Sequence, residues 1–425
     1  MDVAIPSHPI RIPAFRAFLI VRFAAIIAQQ GMVLIIAWQA YNIARLSMSS
    51  PAAAAQLGLI GLIQFVALFA MTPVSGLAAD RFNRRLIGIL TTIGQLLSAV
   101  ILMISSYEGW ISLPLIFVLA AVLGVTRAFQ GPSLGSLTAN LVPAQLLPRA
   151  FALSSIAWQS GSIIGPAVSG YAYAIQPHFA YGASAILFLI SLTGLLIMGP
   201  VRQAEPDRTR HPLKQIVDGL IYVKRNRLVQ ATITLDLFAV LLAGTTALLP
   251  VYARDILHVG ARGLGHLAAA PGLGAAAMAL FFSFFPMTRN VGSKMLISVF
   301  IFGLATASFG ATAFLPVALQ MPVALGAMVT WGAADMVSVF VRQSLVQLHT
   351  PDEMRGRVGA VSQLTISASN ELGEAESGFL AALIGPVSAV ILGGLGAIVI
   401  TLLWSRLYPE LKRARSFDPP ETLQS

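Results

Sequence analysis

The stretch GLAADRFNRR, residues 76–85, places one acid and three arginines between two long apolar runs. In a chain that is only 10% charged, these charges are too costly to hold in hydrocarbon, so they mark a short aqueous loop joining two spans. Outward from this loop, apolar stretches of about twenty residues recur along the whole chain, each long enough for a helix to cross roughly 30 Å of hydrocarbon. Twelve spans are expected, at 17–44, 53–77, 86–106, 113–137, 150–174, 179–198, 228–252, 263–285, 295–314, 317–345, 358–383 and 386–407.

Composition agrees with that reading. A chain of 425 residues that is 56% hydrophobic, with mean hydropathy +0.80, has too little polar cover for a water-soluble globule. A membrane β-barrel would show segments of about ten residues alternating apolar and polar, and that pattern is missing. The fold class expected is therefore an all-α integral membrane protein.

The net charge of +10 has a topological cause. Arg11, Arg16, Arg81 to Arg85, Arg149, the run from Arg202 to Arg227, Arg289, Lys294, Arg355, Arg357 and Arg406 to Arg415 all fall on one side of the twelve-span model, and the other side holds little beyond Arg45, Arg254 and Arg262. By the positive-inside rule both termini of this multi-pass protein are expected in the cytoplasm. Nucleic acid is not an expected partner. The first run is too long for a signal-peptide core and is read as a retained helix. The chain has no cysteine, which excludes disulfides and thiolate metal sites.

The sizeable polar interior segment, residues 201–227, separates six spans from six. The expected organisation is an N-terminal six-helix bundle at 1–200, a cytoplasmic linker at 201–227, a C-terminal six-helix bundle at 228–410 and a cytoplasmic tail at 411–425. Pro206 and Pro212 break the linker, while residues 213–223 form one short amphipathic helix suited to the membrane surface. At an offset of 208 residues, Gly124 pairs with Gly332, Leu137 with Leu345, Pro143 with Pro351, Arg149 with Arg357, Ser154 with Ser362, and Ser169–Gly170 with Ser377–Gly378. That register through spans four to five and ten to eleven is what a duplicated six-helix unit leaves behind.

Four sequence motifs carry a family resemblance. The loop places Gly76, Asp80, Arg81, Arg84 and Arg85 on the pattern GxLaDrxGrkxxl, with Asn83 at its second glycine. Span four carries Leu123, Arg127, Gln130 and Gly131 in lxxxRxxqG, and span five carries Gly161, Gly165, Pro166, Ser169 and Gly170 on GxxxGPxxGG, with Ser169 replacing a glycine. The fourth, TPDEMRGRVGAVSQLTISASNELGEAESG, begins at Thr350. Together they resemble the Major Facilitator Superfamily, in the bacterial branch grouped with the enterobactin exporter. The resemblance implies two pseudo-symmetric bundles of six transmembrane helices. It also implies a gating loop in which Asp80 faces the start of span eleven near Arg357, a proton-linked role for Arg127, and an antiporter-type packing seam in span five.

The residues themselves supply candidates for coupling and binding. Asp335 in span ten is the offset counterpart of Arg127, and one charge of each sign at equivalent depth is expected to form a pair or switch across the halves. Glu371 and Glu374 share a face of span eleven while Glu376 points away, at about 100° per residue. Asp236 is the acid of span seven. The expected order for proton coupling is Asp335, Glu374, Glu371 and Asp236, with Arg127. Gln30, Trp38, Phe129, Trp158, Gln159, Phe238 and Trp331 offer aromatic walls and amides for an amphipathic solute. Span one holds Gln29, Gln30 and Gln39 but no acid, unlike superfamily exporters that carry one there.

The function expected is export of an amphipathic organic solute, siderophore-like or drug-like, by proton-coupled alternating access. A lipid or lysolipid flippase is the alternative on the same fold; a non-transporting receptor or a membrane enzyme belongs to a different class. The six histidines have no metal-ligand spacing and no GxxxxGK[ST] run exists. No metal, cofactor or catalytic residue is therefore expected, and the expected partners are a small-molecule substrate, protons and the bilayer around a monomer.

Overall fold

The computed structural model describes residues 8–199 and 212–418, apart from the side chains at 79, 80, 132, 136, 139 and 212–215. Among the described residues the chain is helical, without strands. The first six long helices are α1 (Pro13–Ala44), α2 (Ser50–Arg81), α3 (Arg84–Tyr107), α4 (Leu113–Leu141), α5 (Leu147–Ile175) and α6 (Pro177–Ile197). A shorter helix α7 (Pro212–Arg225) follows, then α8 (Arg227–Leu242) and a single turn, α9 (Leu249–Val251). The remainder comprises α10 (Gly260–Phe284), α11 (Val291–Ala311), α12 (Val317–Leu348), α13 (Asp352–Ile384), α14 (Pro386–Leu407) and the short α15 (Pro409–Arg413). Eleven of the twelve expected spans are each matched by one helix within a few residues, and the seventh is interrupted. Of the expected linker and tail, residues 201–211 and 419–425 lie outside the described residues.

Local chemistry sets the boundaries. Asn83, which stands where the loop pattern wants glycine, caps α3 by accepting from the backbone N–H of Arg85 at 3.0 Å and Leu86 at 3.3 Å, replacing partners that a helix start lacks. Asn226 does the same for α8 through Val229 at 3.1 Å. Pro148, Pro177 and Pro386 occupy first turns, where their missing N–H costs nothing. Gly385, at φ +87°, ends α13 in a conformation that side chains resist.

Among the described residues ten helical stretches are long and apolar enough to cross a membrane, one of them the interrupted stretch Arg227–Ile256; α5 and α13 are not among them. At 29 and 33 residues their length suffices. α5 carries serines and Gln159, and α13 carries Glu371, Glu374 and Glu376 in its interior. Such polar spans are tolerated where they face protein or an aqueous cavity instead of lipid.

The chain divides into two compact units. One comprises Met1–Ile43, Ile63–Thr209 and Gly260–Ala269; the other comprises Ala44–Leu62, Arg210–Val259 and Ala270–Ser425. In the first, α3 packs on α4 and α6, and in the second α11 packs correspondingly on α12 and α14. These are spans three, four and six of each half, so the packing repeats the offset seen in sequence. The first unit's core gathers Phe15, Phe18, Val21, Leu134, Leu137 and Leu195; the second's gathers Leu235, Met295, Val299, Phe302, Trp404 and Leu411.

Two elements depart from the simple span picture. The seventh span is expected to be continuous over 228–252, yet α8 stops at Leu242 and the chain resumes through a 3-10 turn, α9 and a π-turn at Tyr252–Ile256. The break falls at Gly244, whose backbone lies directly against Gly373 of α13 and leaves no room for a side chain. The amphipathic linker helix forms, and one of its faces is taken up by protein. Gly219 sits against the Arg357 carbonyl, Val223 joins Val229, Val346, Val358 and Val361 in a common core, and Tyr222 donates to the His349 carbonyl at 2.8 Å.

Candidate functional site

Each unit holds a polar cluster inside its helices. In the second unit Asp236 projects from α8 and Asp335, Ser338 and Arg342 from α12. Residues 335, 338 and 342 follow the i, i+3, i+7 spacing of one helix face. Asp236 and Arg342 form an ion pair at 3.4 Å, with side chains 6% and 3% exposed. Asp236, Asp335 and Ser338 share a narrow cleft with Val299 and Phe302. The Ser338 hydroxyl and the Arg342 Nε have no hydrogen-bond partner there. Two carboxylates thus stand beside one guanidinium in an otherwise apolar setting.

In the first unit Arg127 of α4 donates to the Gln64 side-chain oxygen at 3.1 Å. Gln130, also on α4, accepts from Gln29 of α1 and, at 3.4 Å, from Gln95 of α3. Gln29, Gln64, Gln95 and Arg127 line a narrow cleft together with Met32, Leu123 and Phe188. This cluster carries amides and a cation where the other carries acids.

Within its own unit Arg127 meets Gln64, and Asp335 shares its cleft with Asp236, which pairs with Arg342. Sequence reasoning singled out neither Arg342 nor the amides at 64 and 95. Their signal was present: an arginine seven residues beyond Asp335 on the same helix face, and glutamines isolated in long apolar runs.

The other candidates lie as follows. Glu371 is 4% exposed; Glu374 accepts from the Thr246 hydroxyl at 3.4 Å, and Glu376 accepts from that of Ser377 at 3.4 Å. Of the gating-loop residues, Gly76 lies within α2, Arg81 is exposed at its end, and Arg84 enters α3. Arg85 caps the end of α6 by donating to the carbonyls of Leu195 at 2.7 Å and Leu196 at 2.8 Å. Arg357 pairs with Asp218 of α7 at 3.3 Å. The Asp80 side chain, and with it the expected contact to Arg357, lies outside the described residues.

The span-five motif is a close-packed surface. A side chain at Gly161 would meet Ile26 at 2.8 Å, one at Gly165 the Ile27 carbonyl at 2.7 Å, and one at Gly170 the Ala261 carbonyl of α10 at 2.7 Å. Pro166 lies inside α5 and Pro271 inside α10, where each removes a backbone donor. The aromatic and amide candidates are scattered. Trp38 is buried edge-on to Tyr173, Phe238 packs at a tilt against Trp404 at 5.3 Å, and Trp331 packs at a tilt, at 4.8 Å, against Phe302, which lines the acidic cleft. Gln30 and Trp158 are exposed, and Phe129 and Gln159 half-buried. None of the seven lines either cleft.

Polar clusters buried in two units of repeated helix packing, within a chain of membrane-spanning helices, define a multi-pass membrane transporter architecture. The family model described as Major Facilitator Superfamily matches residues 17–374, and the chain belongs to that family. Its members carry small-molecule substrates. Among curated proteins it is similar to the Enterobactin exporter EntS of Citrobacter koseri, 28% identical over 408 residues that cover 96% of this chain and 94% of that protein. The Enterobactin exporter EntS of Shigella boydii is likewise 28% identical, over 411 residues covering 96% and 95%. Among solved structures the fold matches the nucleoside transporter NupG at TM-score 0.74, with 12% identity over 93% of this chain and 100% of that one. It also matches a D-xylose-proton symporter at TM-score 0.70, with 15% identity over 94% and 98%.

Proposed function

We propose that this protein exports an amphipathic organic solute across a bacterial inner membrane, driven by inward proton movement through alternating access. The observation that carries the proposal is the trio of Asp236, Asp335 and Arg342. Two carboxylates facing one guanidinium reach net neutrality when they hold a single proton, and a low-dielectric interior favours the neutral set. The trio can therefore load and release a proton as its access to water changes. Asp335 is assigned the coupling role, with Asp236 and Arg342 as its immediate electrostatic partners and Glu374 and Glu371 on α13 as further acids along the span.

Similarity to proteins named as enterobactin exporters supports export as the direction and a small organic molecule as the cargo. The glycine and proline seam of α5 supports a rocking motion, because small residues let backbones approach and slide closely. Arg127 and its surrounding amides supply a polar wall for the solute.

The test is purified protein in proteoliposomes with an imposed pH gradient, screened against siderophores, cationic dyes and lysolipids. The proposal expects accumulation of a siderophore-like or drug-like solute against its gradient, collapsing when the pH gradient is dissipated. Accumulation of lysolipid alone would make the protein a flippase, and solute movement indifferent to pH would remove proton coupling.

A further inference from the structure

Past α15 the chain folds back onto the start of α11. The Asn290 N–H donates to the Arg415 carbonyl at 2.6 Å and the Gly292 N–H to the Ala414 carbonyl at 3.0 Å, while the Ser293 hydroxyl donates to the Lys412 carbonyl at 3.3 Å. Gly292 makes the fit possible, since a side chain there would run into the Leu411 carbonyl. Leu411 is buried, and Phe417 packs edge-on against Phe340 at 5.8 Å. Backbone groups and small side chains make these contacts. Arg289 and Lys294 from one segment, and Lys412, Arg413 and Arg415 from the other, therefore stay exposed, with no ion pair among the described residues. We infer that this platform binds the phosphate headgroup of an anionic phospholipid in the adjoining membrane leaflet.

Topology alone asks only that cations gather on one side of the membrane. It does not ask that they be tied to one another. Here two segments more than a hundred residues apart are bonded together, and like charges brought close repel unless an anion joins them. Of the acids in residues 409–418, Glu410 is paired with Arg227 at 2.8 Å, and Asp418 at the far end offsets only one of the five cations. The guanidinium forks of Arg289, Arg413 and Arg415 match phosphate oxygens, and the ammonium groups of Lys294 and Lys412 add point charge. The flanks favour a lipid over a soluble anion. α10 approaches Arg289 through exposed Phe284 and Phe285, and α14 approaches α15 through exposed Leu403 and Leu407, so acyl chains find apolar surface beside the charges. Clusters of roughly four to eight basic residues at the ends of membrane helices attract anionic lipid in this way.

The test titrates the full chain in dodecyl maltoside with dioleoylphosphatidylglycerol, dioleoylphosphatidylcholine and glycerol 1-phosphate, reading each half-saturating concentration from the rise in melting temperature. Phosphatidylglycerol is expected to saturate at a concentration at least about tenfold below phosphatidylcholine, with the gap narrowing as salt is raised. Replacing Arg289, Lys294, Lys412, Arg413 and Arg415 together by Gln should erase the preference, because each cation near a charged surface contributes a factor of about five. Lys224→Gln with Arg225→Gln removes two exposed cations of α7 instead and should leave the preference intact. Equal saturation by the two lipids in the wild type, an intact preference in the folded five-site variant, or an equal loss in the α7 variant would overturn the inference. Glycerol 1-phosphate acting at the same concentration as phosphatidylglycerol would also overturn it, by assigning the platform to a soluble phosphate. Should the five-site variant not fold, Lys294→Gln with Arg413→Gln carries the test: it should weaken phosphatidylglycerol about tenfold or more, and unchanged affinity would overturn the assignment.

Discussion

Arg342 is 3% exposed and lies 3.4 Å from Asp236, so each charge is tolerated inside the second unit because of the other. Removing one partner leaves a buried charge uncompensated, which costs about 3–5 kcal/mol in proteins generally. Arg342→Met, which leaves Asp236 and Asp335 without their cation, is therefore expected to lower the melting temperature in detergent sharply. The double variant Asp236→Ala with Arg342→Met should recover part of the loss, since only one carboxylate then remains to be kept neutral. A melting temperature unchanged in the single variant would mean that the pair contributes little. The acids at 236 and 335 were legible in the sequence, because a carboxylate inside an apolar run stands out. Arg342 was passed over because it lies near the expected end of its span, where an arginine reads as a boundary residue; only the face it shares with Asp335 reveals its role.

At the scale of helices, small residues decide which surfaces touch. A Cβ at Gly170 would sit 2.7 Å from the Ala261 carbonyl and 2.9 Å from the Gly265 Cα, closer than real contacts allow, and overpacking of this kind costs about 1–3 kcal/mol. Gly170→Leu should lower stability and slow transport. Gly76, by contrast, has open space around it among the described residues, so Gly76→Ala should leave the melting temperature unchanged or raise it, an alanine being better in a helix by up to about 1 kcal/mol. A shared response of the two variants in thermal unfolding would contradict this account of the seam.

The linker helix α7 divides in the same way. Gly219→Leu cannot fit, with the Arg357 carbonyl 2.6 Å from its Cβ, and should expose the helix to limited proteolysis. Asp218→Asn removes only a partly exposed ion pair, 41% and 30% accessible, worth no more than about 1 kcal/mol, and should leave the digestion pattern intact. Burial lowers the pKa of His349, whose carbonyl holds Tyr222 and Asn226. A lowered folded value means the group stabilises the fold fully above its ordinary 6.5 and loses that contribution as pH falls through the lowered value. Melting temperature should accordingly fall on the acid side of neutrality, and His349→Gln should make that fall shallower. The sequence announced α7 as amphipathic, and its apolar face read equally well as a surface for lipid; that Gly219 seats it on α13 depends on a distant backbone and had no local sign.

For the molecule as a whole, the duplicated packing of α3 with α4 and α6, and of α11 with α12 and α14, was foreshadowed by the 208-residue register, because repeats that pack alike keep the same small and polar positions. The break after Leu242 was not foreshadowed: a run of apolar residues reads as continuous helix, and it takes the backbone of Gly373 to show why Gly244 stands there. The charge distribution carries its own prediction. The natural chain lacks cysteine, so Ser416→Cys should react with an impermeant maleimide only from the cytoplasmic side and Glu108→Cys only from the opposite side. Labelling of both from one side would overturn the orientation.

The central claim, that protons drive transport through the acidic trio, is met most directly by Asp335→Asn in proteoliposomes under an imposed pH gradient, with the solute that the wild-type screen identifies. The account predicts that accumulation against a solute gradient disappears while exchange of labelled for unlabelled solute across the membrane continues. Uphill accumulation at the wild-type rate and extent in Asp335→Asn would contradict it.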